Sequence, residues 1–133
     1  MHASTPGSTR TQVRTAYVLT TLAALFLLLD TVMKLLRLAP AVEGTTALGY
    51  PAHTVAVIGA IELVCLVLYL VPQTAVLGAV VMTGYLGGAI ATHVRIGNPL
   101  LTHTLFPIYV AAMIWGGLYL RDNRLRGLLG RPA

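Results

Sequence analysis

Three ionisable side chains within apolar stretches of this sequence could do chemistry: Asp30, Lys34 and Glu62. Asp30 and Lys34 stand four residues apart, so a helix would place both side chains on one face. Glu62 stands alone in the next apolar stretch, where an unpaired carboxylate costs about 2.5 kcal/mol or more to insert into a bilayer. Such groups can pair, bind the polar head of a small molecule or relay a proton. A salt bridge or hydrogen bond with a purely structural role is the alternative.

Other polar side chains come near these charges if the apolar stretches are helices. Tyr85 and His93 share one stripe of the third stretch, and we predict that they join the three charged residues as pocket or proton-binding candidates. Arg95, His53 and His103 fall at the ends of apolar stretches, and we predict that they form the rim of the same pocket. Anchoring at the membrane surface is the alternative for Arg95, and an interfacial position without a functional role is the alternative for His103. The sequence assigns no catalytic residue.

Composition places these residues in a membrane protein. Hydrophobic residues make up 56% of the chain against 10% charged residues, and the mean hydropathy is +0.79. This balance lies far outside that of soluble domains. Most of the arginines lie in the two terminal segments, where membrane topology explains the net charge of +5 better than nucleic-acid binding does. Cys65 is the only cysteine, so no internal disulfide or thiolate metal site can form, and we predict no metal.

We predict an all-α fold, an integral-membrane four-helix bundle within a domain that covers residues 15–122. The helices, each long enough to cross a bilayer, are expected at about 15–38, 53–71, 74–94 and 102–120. The polar segment 1–14 has no apolar periodicity and is predicted to be a disordered tail. Residues 39–52 are predicted to be a loop, and 123–133 a basic C-terminal tail.

Two local features bear on how these helices pack. Gly84 and Gly88, four residues apart on the third predicted helix, predict a surface that a neighbouring backbone can approach closely. Pro107 has no backbone N–H, so it leaves the carbonyl of His103 without its usual donor. We therefore expect the fourth helix to bend at its start.

The depth of the two acids places them near one level of the membrane. Asp30 lies near the end of the first helix and Glu62 near the middle of the second, so both are roughly 12 to 14 Å below the same membrane surface. The arginine-rich termini are predicted to be cytoplasmic by the positive-inside rule, which makes this surface the outer one. We therefore predict a polar pocket that opens to the outer face, above a dry cytoplasmic half.

Several short motifs occur together along the chain. They are FLLLDTVMKL at 26–35, LGYP at 48–51, Ile58-Gly59 followed by Glu62, GYLGGAIATHVR at 84–95, and LFP at 105–107. This set resembles the DoxX-like family of small four-helix bacterial membrane proteins, and the resemblance extends from Val18 to Leu129. It implies a multi-pass protein in the lipid bilayer of the bacterial plasma membrane.

The resemblance implies less about activity. The family takes its name from a subunit of a quinol-oxidising membrane complex, which suggests an accessory subunit whose pocket takes a quinone-like or lipid-like small molecule. Such a protein would have no covalently bound cofactor and would not be an enzyme on its own. The alternatives are an assembly or chaperone-like protein that binds a membrane protein or a second copy of itself, and a proton-coupled transporter. No nucleic-acid partner is expected.

Overall fold

The computed structural model describes residues 9–130, which are almost entirely helical and contain no strand. This confirms the predicted all-α fold. The helices are α1 (Arg10–Leu35), α2 (Ala39–Ala47), α3 (Val55–Leu70), α4 (Ala75–Arg95), α5 (Phe106–Arg121) and α6 (Asn123–Leu129). A 3-10 turn at Ala52–Thr54 precedes α3, and a π-helical turn at Leu100–Thr104 precedes α5.

Helix α1 begins five residues earlier than the sequence predicted. Thr9 caps it, because its hydroxyl accepts from the backbone of Gln12 at 3.2 Å while the Gln12 side chain accepts from the Thr9 backbone at 3.0 Å. This reciprocal pair satisfies backbone donors that a helix start otherwise leaves open. Residues 10–14 are therefore helical, not disordered. Residues 1–8 of the predicted tail lie outside the described residues.

The segment predicted as a loop at 39–52 contains a helix, α2. Its Pro40 lies in the first turn, where a missing backbone N–H costs no helical bond. A proline in the sequence favours a loop, but it suits the first turn of a helix equally well. Arg37 in the left-handed region, with φ 53°, turns the chain from α1 into α2, and Gly49 with φ 90° ends the segment.

The basic segment after α5 begins with a further helix, α6. The Asp122 side chain accepts from the backbone of Arg124 at 2.8 Å and from that of Leu125 at 3.1 Å. This is the usual geometry of a helix N-cap. The leucine side chain is buried, so α6 is held against the bundle. Residues 131–133 lie outside the described part of the chain.

Four helical segments among residues 9–130 are long and apolar enough to cross a membrane. They are Arg10–Leu35, Ala52–Leu70, Ala75–Arg95 and Leu100–Arg121. Together they make this a multi-pass membrane protein. The last segment is divided, because the π-helical turn gives way to α5 with Pro107 in its first turn. The bend predicted at Pro107 thus corresponds to a change from a π-helical turn to an α-helix, and Pro107 lies in the first turn of that α-helix.

The long helices form a closed ring. Helix α1 packs on α3 and α5, and α4 also packs on α3 and α5, so α1 and α4 lie opposite each other across the bundle. Large buried side chains fill one half of the interior: Leu66, Tyr69, Met82, Ile114 and Leu118. The Tyr69 hydroxyl donates to the carbonyl of Ile114 at 3.1 Å, so the polar tip of this core residue is satisfied.

Gly84 and Gly88 do not make the predicted close contacts with another helix of this chain. A Cβ placed at either position meets no atom within 4 Å. Their spacing on the helix is the one expected for close packing, but spacing does not determine which face meets a neighbour. Both glycines are exposed and line a cavity that is partly open at the surface of the bundle.

The close approaches occur at other glycines. A Cβ at Gly59 of α3 would lie 2.7 Å from the Cβ of Lys34, and one at Gly78 of α4 would overlap the backbone of Tyr69. Gly117 of α5 similarly meets α1, where an added Cβ would lie 2.5 Å from the Thr20 hydroxyl. Three of the contacts of the ring therefore depend on a missing side chain.

Candidate functional site

The ammonium group of Lys34 is the centre of a polar cluster inside the bundle. It donates to Asp30 Oδ2 at 2.5 Å, to Glu62 Oε2 at 2.9 Å and to the Tyr85 hydroxyl at 2.8 Å. The contributing helices are α1, α3 and α4. We refer to Asp30, Lys34, Glu62 and Tyr85 as the Lys34 cluster.

Glu62 is the most deeply buried member of the Lys34 cluster. Its side chain is 0% exposed, against 14% for Lys34 and 37% for Asp30. Its Oε2 accepts a second bond, from the Tyr85 hydroxyl at 3.0 Å. Its Oε1 has no hydrogen-bond partner among residues 9–130. A buried carboxylate oxygen without a partner is unusual in native proteins and calls for an explanation.

Local structure brings the members of the cluster together. The four-residue spacing of Asp30 and Lys34 is enough to pair them on α1. Gly59 lies one helical turn before Glu62, and its missing side chain lets the backbone of α3 approach Lys34. The length of the tyrosine side chain allows Tyr85 to reach across the bundle from α4.

The charges of the cluster compensate one another only in part. Lys34 forms salt bridges with both Asp30 and Glu62. With all three groups ionised, one negative charge remains in excess. Charge interactions strengthen in the low-dielectric interior, and a buried charge without a partner is strongly destabilising. The cluster is therefore an interdependent unit in which Lys34 is the shared cation.

A cavity of about 420 Å³ adjoins the Lys34 cluster. Its size suits a small organic molecule. Its walls are mostly apolar and include the rings of Phe26 and Phe106, which meet edge to face with centroids 5.1 Å apart. Its polar lining residues are Asp30, Lys34, Thr45, Tyr50, Glu62, Tyr85, Thr92 and His93.

The predicted pocket candidates all line this cavity. Asp30, Lys34, Glu62 and Tyr85 meet in the cluster, whereas His93 lies apart from it. The His93 Nδ1 is 2.7 Å from the side-chain amide nitrogen of Asn98, which fixes its ring near the end of α4. The structure therefore separates His93 from the proton-binding candidates, although it shares their cavity.

The predicted rim residues do not line the cavity. His53 is exposed in the turn before α3. The ring of His103 packs against that of His93, with centroids 6.0 Å apart, and thus borders the cavity only through its neighbour. Arg95 donates to the carbonyl of Leu48 at 2.6 Å. Arg95 therefore fixes the connection after α2 and does not itself line the cavity.

Sequence reasoning missed a polar pair in the lining of the cavity, near the end of α4. The Tyr50 hydroxyl is 2.9 Å from the Thr92 hydroxyl, which in turn donates to the carbonyl of Gly88 at 2.9 Å. Thr92 stands seven residues after Tyr85, so helical spacing could have placed it on the same stripe. Tyr50 gave no such signal, because it lies in a turn whose path only the tertiary structure determines.

The arrangement can hold a small molecule by two kinds of contact. Apolar walls can take a ring or an alkyl chain, and the Lys34 cluster can bind a polar head. Among the described residues, no group of three or more His, Cys, Asp or Glu side chains is placed to hold a metal ion. Cys65 is buried, and it is not among the residues that line this cavity.

Comparison with protein families agrees with this architecture. The family model described as the DoxX-like family matches residues 18–117. The chain belongs to the DoxX-like family. The matched region contains α2, α3, α4 and every member of the Lys34 cluster, so the site lies within the family domain. No curated protein and no solved structure matches the sequence.

Proposed function

We propose that this DoxX-like protein is an accessory subunit of a redox-linked complex in the bacterial plasma membrane and binds a quinone-like or lipid-like small molecule. The observation that carries the proposal is the cavity of about 420 Å³, whose apolar walls adjoin the Lys34 cluster. The polar head of the molecule would lie at the cluster, and its ring or chain would pack against Phe26 and Phe106. The redox link rests on family membership, by analogy.

The proposed orientation has both termini in the cytoplasm. Arg10, Arg14, Arg121 and Arg124 lie at one end of the bundle, as the positive-inside rule requires of a cytoplasmic side. The cluster then lies in the outer half of the membrane, because Lys34 is near the far end of α1. Electron transfer itself would need a partner subunit that carries a redox cofactor, because none is assigned to this chain.

Two glycines on α4 provide a matched test of the cavity. Gly88 lines it, whereas Gly87 does not, and an added Cβ at either position meets no atom within 4 Å. We expect Gly88→Leu to fill the cavity and to weaken binding of an alkylated benzoquinone or its hydroquinone by at least about tenfold. Gly87→Leu should bind as the parent protein does. Equilibrium dialysis in a mild detergent measures both.

An unchanged affinity in Gly88→Leu would contradict the proposal, provided that the variant is folded. Its elution volume in size-exclusion chromatography supplies that control. Equal losses in Gly87→Leu and Gly88→Leu would also contradict it, because only one of the two positions borders the cavity.

A second function, assembly with another membrane protein, is favoured by the open surface at Gly84, Gly87 and Gly88. All three positions are exposed and could accept the helix of a partner or of a second copy. This function predicts that Gly87→Leu abolishes co-purification of a membrane partner while a bound small molecule is retained.

A proton-coupled transporter is the remaining proposal. Uptake that survives loss of both Asp30 and Glu62 would exclude a role of these two acids in proton coupling.

A further inference from the structure

The hydrogen-bond donors of the Lys34 cluster are all used within the cluster. An ammonium group has three N–H donors, and those of Lys34 go to Asp30, Glu62 and Tyr85. A tyrosine has one O–H donor, and that of Tyr85 goes to Glu62. Neither side chain retains a donor for a molecule in the cavity.

The acceptors of the cluster are only partly used. Glu62 Oε1 is buried without a partner, while Oε2 of the same side chain accepts two bonds. Asp30 accepts through Oδ2, which leaves its second carboxylate oxygen for a ligand. Its side chain is 37% exposed, so a molecule in the cavity reaches Asp30 before it reaches Glu62. With both acids ionised, the cluster therefore offers acceptors and no donor.

We propose that the Lys34 cluster, at the polar end of this cavity, selects a molecule whose polar head donates hydrogen bonds, a hydroquinone or another phenol, over the acceptor-only quinone. The inference rests on the proposed function and specifies the chemical class of its ligand. The two carbonyl oxygens of a benzoquinone carry only lone pairs, which would face the lone pairs of the carboxylates. The hydroxyl groups of the hydroquinone instead donate to them, as charge-assisted bonds. The proposal concerns binding alone and includes no transfer of electrons.

Two pairs of probes test this inference on the full chain in mild detergent under argon. One pair is a decyl-substituted benzoquinone and its hydroquinone. The other is 4-decylphenol and its methyl ether, in which a methyl group replaces the hydrogen-bond donor and which do not interconvert by oxidation. We expect the donor of each pair to bind at least about tenfold more tightly in equilibrium dialysis, because a polar site left unpaired rejects the analogue that lacks the donor.

The outcomes separate the inference from the proposed function. Equal binding within both pairs would overturn the inference and leave the proposed function standing. Tighter binding of the quinone and of the methyl ether would also overturn the inference alone. Failure of all four probes to bind would overturn both.

Isosteric amides provide the residue-level test. In Glu62→Gln the amide oxygen can accept the bonds from Lys34 and Tyr85, so its NH₂ takes the position of the unpartnered Oε1 and adds a donor. We expect the preference for hydroquinone over quinone to fall by at least about tenfold. Asp30→Asn should also lower the preference for hydroquinone over quinone, because it adds a donor at a more exposed carboxylate of the cluster.

Glu43→Gln is the matched control. Glu43 is exposed on α2 and does not line the cavity, so the same change of chemistry there should leave the preference as it is in the parent protein. An unchanged preference in both Glu62→Gln and Asp30→Asn would overturn the inference even if the parent protein favours the donor probes. The Asp30 variant keeps the test decisive if the Glu62 variant fails to fold.

Discussion

At the scale of single residues, Lys34 connects the most groups. It is the shared cation of Asp30 and Glu62, and it also donates to Tyr85. Each partner has a different exposure, from a fully buried Glu62 to a partly exposed Asp30. Removal of the lysine would therefore leave the glutamate as an uncompensated charge in a low-dielectric interior.

We predict that Lys34→Met lowers the free energy of unfolding by about 3 to 5 kcal/mol, because it breaks a buried ion pair from one side. Denaturant titration in mixed micelles measures the change. Arg124→Met is the matched control, since it removes one exposed positive charge from α6 and should change stability by about 0 to 1 kcal/mol. Similar small losses in both variants would show that the ion pair contributes little.

We predict that Tyr85→Phe lowers stability by about 1 to 3 kcal/mol, because it removes a partner from both Lys34 and Glu62. Tyr109→Phe provides the comparison. Its hydroxyl makes a single hydrogen bond, to the backbone carbonyl of Leu101 at 3.3 Å, and so its loss leaves no charged group without a partner. In thermal melting followed by circular dichroism, Tyr85→Phe should have a clearly lower melting temperature than Tyr109→Phe. The reverse order would contradict the assigned role of Tyr85.

At the scale of helices, glycines decide where the bundle is tight and where it is open. Gly59 and Gly78 face neighbouring backbones, whereas Gly84 and Gly88 face space beside the cavity. Helix α4 contains glycines of both kinds, with Gly78 at a close contact and Gly84 and Gly88 on a different face beside the cavity. A small-residue motif on a helix therefore identifies a surface that another helix could approach closely. It does not show that a helix of the same chain packs there.

We predict different effects on stability for Gly78→Ala and Gly84→Ala, both in α4. The first places a Cβ onto the backbone of Tyr69 and should lower the free energy of unfolding by about 1 to 3 kcal/mol or more. The second meets no atom within 4 Å and gains helix propensity, so stability should stay the same or rise by up to about 1 kcal/mol. Denaturant titration of the pair under identical conditions measures the difference, and equal effects would contradict the described packing.

At the scale of the whole molecule, the order of contacts produces a cavity between opposite helices. Helices α1 and α4 have α3 and α5 between them, so α1 and α4 do not pack directly on each other. The hydrogen bond between Lys34 and Tyr85 spans the distance between these two helices. The other half is filled by large buried side chains such as Tyr69 and Met82. The bundle thus has one half with a cavity and one half that is tightly packed.

Orientation of the whole molecule is testable by cysteine labelling. In a Cys65→Ser background, we predict that a membrane-impermeant maleimide labels Glu43→Cys on α2 in bacterial cells whose outer membrane or cell wall has been made permeable while the plasma membrane is intact. Arg124→Cys on α6 should be labelled only after the plasma membrane is made permeable. Both positions are exposed, so burial does not confound the comparison. The reverse pattern would place the termini outside and the cavity in the cytoplasmic half.

The sequence alone determined the membrane class, the four spans and the pair of Asp30 and Lys34. Hydropathy over about 20 residues and helical spacing are local properties, so they can be read without knowledge of neighbours. The boundaries were less accurate, because Pro40 and Asp122 suit helix starts as well as loop positions.

Only the tertiary structure decided that Glu62 and Tyr85 meet Lys34, that Arg95 holds the connection after α2, and that Gly84 faces a cavity. Each of these depends on the rotation of a helix about its own axis. In a soluble helix, a polar face reveals that rotation. In a membrane helix, lipid and core are equally apolar, so the residue pattern does not distinguish the face that packs from the face that meets lipid.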